Sequence, residues 1–179
     1  MIFVTVGTQD KEFRRLLVEV ERLIKCGKIN DTVVAQIGNT KFSTDLDSSK
    51  MHLIEFTTPR EVDALIENAS FIITHGGVAT IIEGLNRGKK IIAVPRLKEF
   101  KEHVNDHQLQ IIENFDASGF IIGLHGVEEL EGALERVHGF VPKRYVSNNE
   151  RFVERLEGTI IGLYQKIWKQ NVEQFNFLW

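Results

Sequence analysis

One stretch of the chain decides the fold: Phe71-Ile72-Ile73-Thr74-His75-Gly76-Gly77-Val78-Ala79-Thr80-Ile81-Ile82-Glu83-Gly84. It opens with apolar, mostly β-branched residues on successive positions, which is typical of a strand buried on both faces. A glycine pair then ends the strand, and the spacing of Ile81, Ile82 and Leu85 is that of a helix. The stretch therefore predicts a strand, a tight turn and a helix in immediate succession.

The same alternation runs along most of the chain. Predicted strands cover Ile2 to Val6, Thr32 to Ile37, His52 to Phe56, Phe71 to Thr74, Lys90 to Val94 and Phe120 to Gly123. Helical spacing recurs between them, starting at Phe13, Val62, Ile81 and Leu109. Alternating strands and helices build a parallel sheet with right-handed crossovers. We predict an α/β fold, a Rossmann-like, open, mainly parallel sheet with helices on both faces.

The length of 179 residues suits one domain. We expect residues 1–145 to form the Rossmann-like unit, and residues 146–179 to add an amphipathic helix and an aromatic tail to the same domain. The tail carries Phe175, Phe177 and Trp179 with little local core to join. Such residues favour docking on a partner subunit, or contact with a membrane interface.

Composition excludes several classes of function. The formal net charge is -3, and basic residues are scattered among acids, so nucleic acid is not an expected partner. The single cysteine, Cys26, cannot form an internal disulfide. This cysteine usage indicates a reduced, cytoplasmic setting. With no apolar stretch of about 20 residues, any membrane association is expected to be peripheral or to come through a partner. No G-x-G-x-x-G fingerprint supports a nicotinamide or flavin enzyme, and His103 and His107 lack a third metal ligand nearby.

Ligands of doubly wound sheets bind at the carboxyl ends of the strands. There, the glycine pair and the helix that follows it suit a diphosphate, because free amides at a helix N-terminus carry partial positive charge. Thr80 adds a hydroxyl donor, and Glu83 is placed to accept hydrogen bonds from a ribose diol. The alternative is a glycine turn needed only for packing, with Glu83 a solvated helix residue. Gly7-Thr8 after the first strand is a second turn at the same edge, and a third polar cluster follows the fifth strand.

In combination, these segments resemble the carboxyl-terminal domain of family 28 glycosyltransferases over Ile2 to Gly123. The resemblance is carried by Gly7-Thr8, Thr74 to Gly84, the Gly88-Lys89-Lys90 turn into Ile91-Ile92-Ala93-Val94-Pro95, and Asp106-His107-Gln108. The opening Phe3-Val4-Thr5-Val6-Gly7-Thr8-Gln9, with Phe13 and Leu16, is similar to the separate small subunits of this family. Those subunits act in dolichol-linked N-acetylglucosamine transfer and in bacterial capsule and exopolysaccharide assembly.

The resemblance implies the donor-binding half of a GT-B glycosyltransferase. The expected substrate is a UDP-sugar, with no tightly bound cofactor and no metal. The expected reaction transfers a hexose or N-acetylhexosamine to a lipid-pyrophosphate-linked saccharide. It requires a heterodimer with a membrane-anchored, acceptor-binding subunit, which would hold the chain at the inner face of the membrane. The alternative is a non-catalytic module that binds a membrane-associated glycosyltransferase and enhances its activity.

The resemblance also assigns roles to residues. Gly76, Gly77 and Val78 would hold the diphosphate, and Glu83 the ribose. The turn after Phe56 would meet the uracil. Asp106 stands where the family usually has asparagine. The full predicted donor site consists of Gly7, Thr8, Phe56, Thr57, His75, Gly76, Gly77, Val78, Thr80, Glu83, Pro95, Arg96, His107 and Gln108, with His75 and Thr8 the candidate catalytic residues.

Overall fold

A computed structural model describes residues 1–146 and Thr159. Its sheet is open and entirely parallel, with strand order β3-β2-β1-β4-β5-β6. The strands are β1 (Ile2–Thr5), β2 (Val33–Gln36), β3 (Met51–Ile54), β4 (Phe71–His75), β5 (Ile91–Val94) and β6 (Ile122–Gly123). The predicted fold class is confirmed, and every predicted strand is present to within two residues at either end.

Helices follow most of the strands, as the sequence predicts. They are α1 (Arg14–Lys25), α2 (Pro59–Asn68), α3 (Val78–Asn86), α4 (His107–Ala117) and α5 (Leu130–Val137), with a 3-10 turn at Val127–Glu129. Neither α5 nor this turn was predicted from the sequence. The helix has only eight residues, and Gly132 lies within it, so its helical pattern is short and weak.

Two hydrophobic cores lie on opposite faces of the sheet. Because side chains alternate along a strand, Val4 and Ile73 join one core while their neighbours Phe3 and Ile72 join the other. The first core includes Leu17 of α1 and buried residues of α5, and the second includes buried residues of α2, α3 and α4. The predicted placement of helices on both faces is therefore confirmed.

The strand order reverses direction beside β1. From β1 the chain builds β2 and β3 on one side, then crosses to β4 on the other side. The loops that leave β1 and β4 consequently diverge, and in sheets of this kind the ligand crevice lies between such loops at the carboxyl edge. Gly7 and His75 stand at the ends of these two strands. Gly7 has φ +77°, a left-handed conformation that glycine adopts without steric cost.

Residues Met1–Tyr145 form one compact unit. The predicted C-terminal helix, Asn149 to Trp168, and the aromatic tail lie outside the described residues, apart from Thr159. Their docking role stays a prediction.

Candidate functional site

The imidazole of His75 lies between two glycines at the switch point. A Cβ added to Gly7 would stand 2.5 Å from His75 Cε1, and one added to Gly77 would meet His75 Nε2 even more closely. Both positions therefore require glycine while the ring keeps its place. The ring joins the turn after β1 to the start of α3, the two segments that flank the crevice.

His75 is held in its neutral form. Burial lowers the pKa of His75 to about 4, and the positive charge of Arg96 acts in the same direction. Its Nδ1 atom is buried and has no hydrogen-bond partner within the described residues. An imidazole with so low a pKa is a weak base at neutral pH, which favours a binding role over general-base catalysis.

The N-terminus of α3 leaves amides open, although not all of those the sequence predicts. Gly77 N–H donates to the His75 carbonyl at 2.8 Å, and Gly76 N–H donates to Gln108 Oε1 at 3.1 Å. These two amides are already paired within the chain, and the diphosphate contact expected of Gly76 and Gly77 stays a prediction. The amides of Val78, Ala79 and Thr80 have no acceptor in the part of the chain that the structure describes, and no side chain caps the helix. These three amides are open donors of the kind that bind anions at helix N-termini, and the diphosphate site on them stays a prediction.

Gln108 ties together two of the loops that border the crevice. Its Oε1 accepts hydrogen bonds from Gly76 N–H and from Arg96 N–H, both at 3.1 Å. Because both partners are donors, the side-chain oxygen of Gln108 must face them. This requirement determines which terminal atom of the side-chain amide is oxygen and which is nitrogen. Its Nε2 group therefore points elsewhere, and it has no protein partner among residues 1–146 and Thr159. That group is the part of Gln108 able to donate to a ligand.

Arg96 is a predicted donor-binding residue to which the structure gives a different role. Its side chain is fully buried. The guanidinium donates to the carbonyls of Val6 at 2.6 Å and Lys11 at 2.7 Å, with longer bonds to those of Glu12 and Glu102. Burial lowers the pKa of Arg96 to about 10, so the group stays charged at neutral pH. A fully enclosed guanidinium with these partners holds loops together, and it has no open face toward a sugar-nucleotide ligand.

Glu83 projects from α3 and is partly exposed. Its Oε1 forms an ion pair with Arg87 one turn later at 2.6 Å, and Arg87 also pairs with Asp63 of α2 at 3.1 Å. The ion pair engages one carboxylate oxygen of Glu83. The predicted ribose contact of Glu83 stays a prediction.

Phe56 and Thr57 belong to a separate groove. Thr57 Oγ1 donates to Glu61, which also accepts from Thr58 N–H in a capping box at the start of α2. These hydrogen bonds lower the pKa of Glu61 to about 2. Phe56 is 53% exposed and, with Leu65, lines a groove of about 570 Å³. None of the residues around His75 lines this groove.

The other predicted residues divide by exposure. Thr8, in the loop after β1, and His107, the first residue of α4, are exposed. Pro95 is buried. The Thr8 carbonyl accepts a bond of 3.4 Å from Asn39, and the His107 N–H donates to Asn105 Oδ1 at 3.2 Å. The structure thus brings the loops after β1, β2, β4 and β5 together at one edge of the sheet.

In residues 1–146 and Thr159, no group of three or more His, Cys, Asp or Glu side chains is arranged to hold a metal ion. None of the helices described for this chain has the length and apolar character to cross a bilayer.

The family model described as "Glycosyltransferase family 28 C-terminal domain" matches residues 1–131. The chain belongs to this family. The resemblance seen in the sequence is therefore confirmed: residues 1–131 form the carboxyl-terminal domain of a glycosyltransferase family.

Individual relatives support the same assignment. The "UDP-N-acetylglucosamine transferase subunit ALG13" of Candida albicans is 28% identical over 123 residues, which cover 66% of this chain and 36% of that relative. The chain thus spans about a third of the length of this relative. The NMR solution structure of ALG13 matches with a TM-score of 0.54 at 21% identity, covering 87% of this chain and 93% of that one. The "Spinosyn Forosaminyltransferase SpnP" matches with a TM-score of 0.54 at 19% identity, over 75% of this chain and 34% of that one. At these identities the two structures show a shared fold.

Proposed function

We propose that this chain is the donor-binding, catalytic subunit of a two-component glycosyltransferase. It binds a UDP-sugar in the crevice between the Gly7 turn and α3, and the sugar is a hexose or N-acetylhexosamine. The observation that carries the proposal is the set of open amides of Val78, Ala79 and Thr80 at the switch point of a family 28 domain. A UDP-sugar donor also fits the name of the relative from Candida albicans.

The crevice suits the departing diphosphate. In sugar transfer the bond from the anomeric carbon to the diphosphate breaks, and negative charge grows on the leaving oxygen. The three open amides and the Thr80 hydroxyl supply donors to that charge without a metal ion. Neutral His75 adds a donor through Nε2 when that nitrogen carries the proton. Glu83 binds the ribose, and the turn of Phe56 and Thr57 meets the uracil.

The sugar lies further out, near Thr8, His107 and the Nε2 group of Gln108. Each offers a donor or acceptor to a sugar hydroxyl. Thr8 and His107 are exposed, which leaves them accessible to a bound donor.

The second component supplies what this crevice lacks. Inverting transfer needs a base beside the attacking hydroxyl, and His75 is too weak a base at neutral pH. We assign the base and the lipid-pyrophosphate-linked acceptor to a membrane-anchored partner subunit. Its closure over the crevice excludes water and aligns the acceptor with the anomeric carbon. This partner would hold the chain at the inner face of the membrane, in capsule or exopolysaccharide assembly.

One amide can be removed to test the site. Val78 is the first residue of α3, where proline is compatible with the helix and its missing N–H costs no intrahelical bond. Val78→Pro is expected to weaken UDP binding about tenfold or more, the effect of one charge-assisted hydrogen bond. Val78→Ala keeps the amide and serves as the matched control, which should bind as the wild type does.

Isothermal titration calorimetry with UDP measures the effect, and thermal unfolding checks that both variants fold. Equal affinity of the proline and alanine variants would remove the α3 amides from the site. A wild-type chain that releases no heat with millimolar UDP would refute donor binding and favour the non-catalytic module.

A further inference from the structure

A cluster of charged side chains joins the two loops that border the crevice on the α1 side. These are the β1–α1 loop, residues 6–13, and the β5–α4 loop, residues 95–106. The cluster consists of Arg15, Arg96 and Glu102, and we name it the loop brace. Arg96 and Glu102 are buried, and the Arg15 side chain is 21% exposed.

Arg96 forms the first half of the brace. It belongs to the β5–α4 loop, yet its guanidinium donates to carbonyls of Val6, Lys11 and Glu12 on the other loop. It also lies 5.1 Å from the centre of the Phe13 ring. Among the described residues, Arg96 is the side chain that donates to the carbonyls of Lys11 and Glu12.

Glu102 and Arg15 form the second half. Glu102 accepts two bonds of 2.9 Å from Arg15, one on each carboxylate oxygen, and a third of 3.1 Å from Leu97 N–H. Arg15 also donates to the Pro95 carbonyl at 3.4 Å and stacks 4.0 Å from the Phe100 ring. A planar, bidentate pair of this kind fixes orientation as well as distance. Since Arg15 lies in the first turn of α1, the pair anchors the β5–α4 loop to that helix.

Thr8 depends on this arrangement. It lies between Val6 and Lys11, the two carbonyls that Arg96 holds most closely. On its other side, Asn39 donates to the carbonyls of Thr8 and Gln9. The backbone around Thr8 is thus held from the β2 side by Asn39 and, at the two ends of the loop, by Val6 N–H to the Gln36 carbonyl and Phe13 N–H to Thr40 Oγ1. From β5 it is held by the brace.

We propose that Arg15, Arg96 and Glu102 are positioning residues that lock the β1–α1 loop to the β5–α4 loop and so fix Thr8 beside the donor sugar. The locking of the loops stands on the contacts alone. The consequence for the sugar rests on the proposed function.

Hydrogen–deuterium exchange of the ligand-free full chain tests the locking. Glu102→Gln keeps the size of the side chain and removes its charge, and Arg15→Lys keeps the charge but loses the planar fork. Within residues 7–13 the amides of Gly7 and Phe13 are hydrogen-bonded, to Thr5 Oγ1 and Thr40 Oγ1. Either variant is expected to speed exchange of these two amides about tenfold or more, while exchange in β1 and β4 stays unchanged. Glu131→Gln is the matched control, since it removes a charge from an exposed ion pair with Arg22 and Lys28 on another part of the surface.

Calorimetry then tests the consequence for the sugar. UDP should bind the brace variants with an affinity within about twofold of wild type. The affinity that the sugar contributes beyond UDP, measured with UDP-glucose or UDP-N-acetylglucosamine, should fall about tenfold, the size of one lost polar contact. Unchanged exchange of residues 7–13 in folded Glu102→Gln and Arg15→Lys would overturn the brace. Faster exchange throughout the chain would show that the brace only stabilises the fold in general, and it would overturn the positioning role. Faster loop exchange in a chain that binds no UDP-sugar even as wild type would refute the proposed function instead.

Discussion

Replacing Gln108 by leucine should destabilise the fold far more than the loss of a surface amide would. Gln108 Oε1 is the acceptor for two buried amides, those of Gly76 and Arg96. Leaving a buried donor unsatisfied costs about 1–3 kcal/mol, so two such donors cost about 2–6 kcal/mol. Burial of the leucine side chain offsets about 1–2 kcal/mol of that loss. We expect a net loss of about 1–4 kcal/mol in the free energy of unfolding, because Gln108 is itself buried.

Gln108→Glu separates the two functions of this side chain. A carboxylate keeps an acceptor for both amides, so the free energy of unfolding should stay within about 1 kcal/mol of wild type. It lacks the Nε2 donors, however, and we expect it to lose affinity for a UDP-sugar while still binding UDP. Urea unfolding followed by circular dichroism measures the stability, and calorimetry measures the binding. A leucine variant as stable as wild type would refute the reasoning, because the two amides would then not depend on Gln108.

Two further predictions concern His75 and Glu83. Because folding lowers the pKa of His75 from 6.5 to about 4, the unfolded chain binds the proton more tightly, and stability falls as pH drops through that interval. At 1.36 kcal/mol per pKa unit, the loss of unfolding free energy is about 3 kcal/mol. The loss should be smaller in His75→Asn. An NMR titration that gives His75 an ordinary pKa would contradict this prediction. Glu83→Ala should weaken UDP binding about tenfold, the size of a lost hydrogen bond to a charged group, without lowering the melting temperature. Arg87 keeps its pair with Asp63 in that variant, and calorimetry showing wild-type affinity would exclude Glu83 from the ribose site.

The fold was predictable because its signals are local. Runs such as Phe71 to Thr74 are apolar on successive residues and end at glycine, which defines both the strand and the turn without knowledge of the rest of the chain. The crevice followed from the same pattern, since alternating strands and helices place the loops after β1 and β4 at one edge. The helix α5 was missed because eight residues that include a glycine give a weak pattern.

The atomic detail of the site was not predictable because it depends on distant contacts. Gly76 is paired with Gln108, 32 residues away, and Arg96 reaches Val6 across 90 residues. No local pattern reveals such pairs. Glu102 lies in the charged run from Lys98 to Glu102, where a solvated residue is the ordinary expectation.

Burial separates two kinds of polar residue at this edge of the sheet. A crevice built from the loops of several strands needs some polar groups to bind the ligand and others to hold the loops, and both kinds occur close together in the sequence. Arg96 is fully enclosed, whereas Thr8 and His107 are exposed. Because a guanidinium with carbonyl partners on several residues cannot also meet a diphosphate, the positive potential of the crevice must come from the α3 amides, with Arg96 contributing only its field. That field also acts on His75, whose ring stays uncharged and can donate through the single N–H proton of the neutral imidazole.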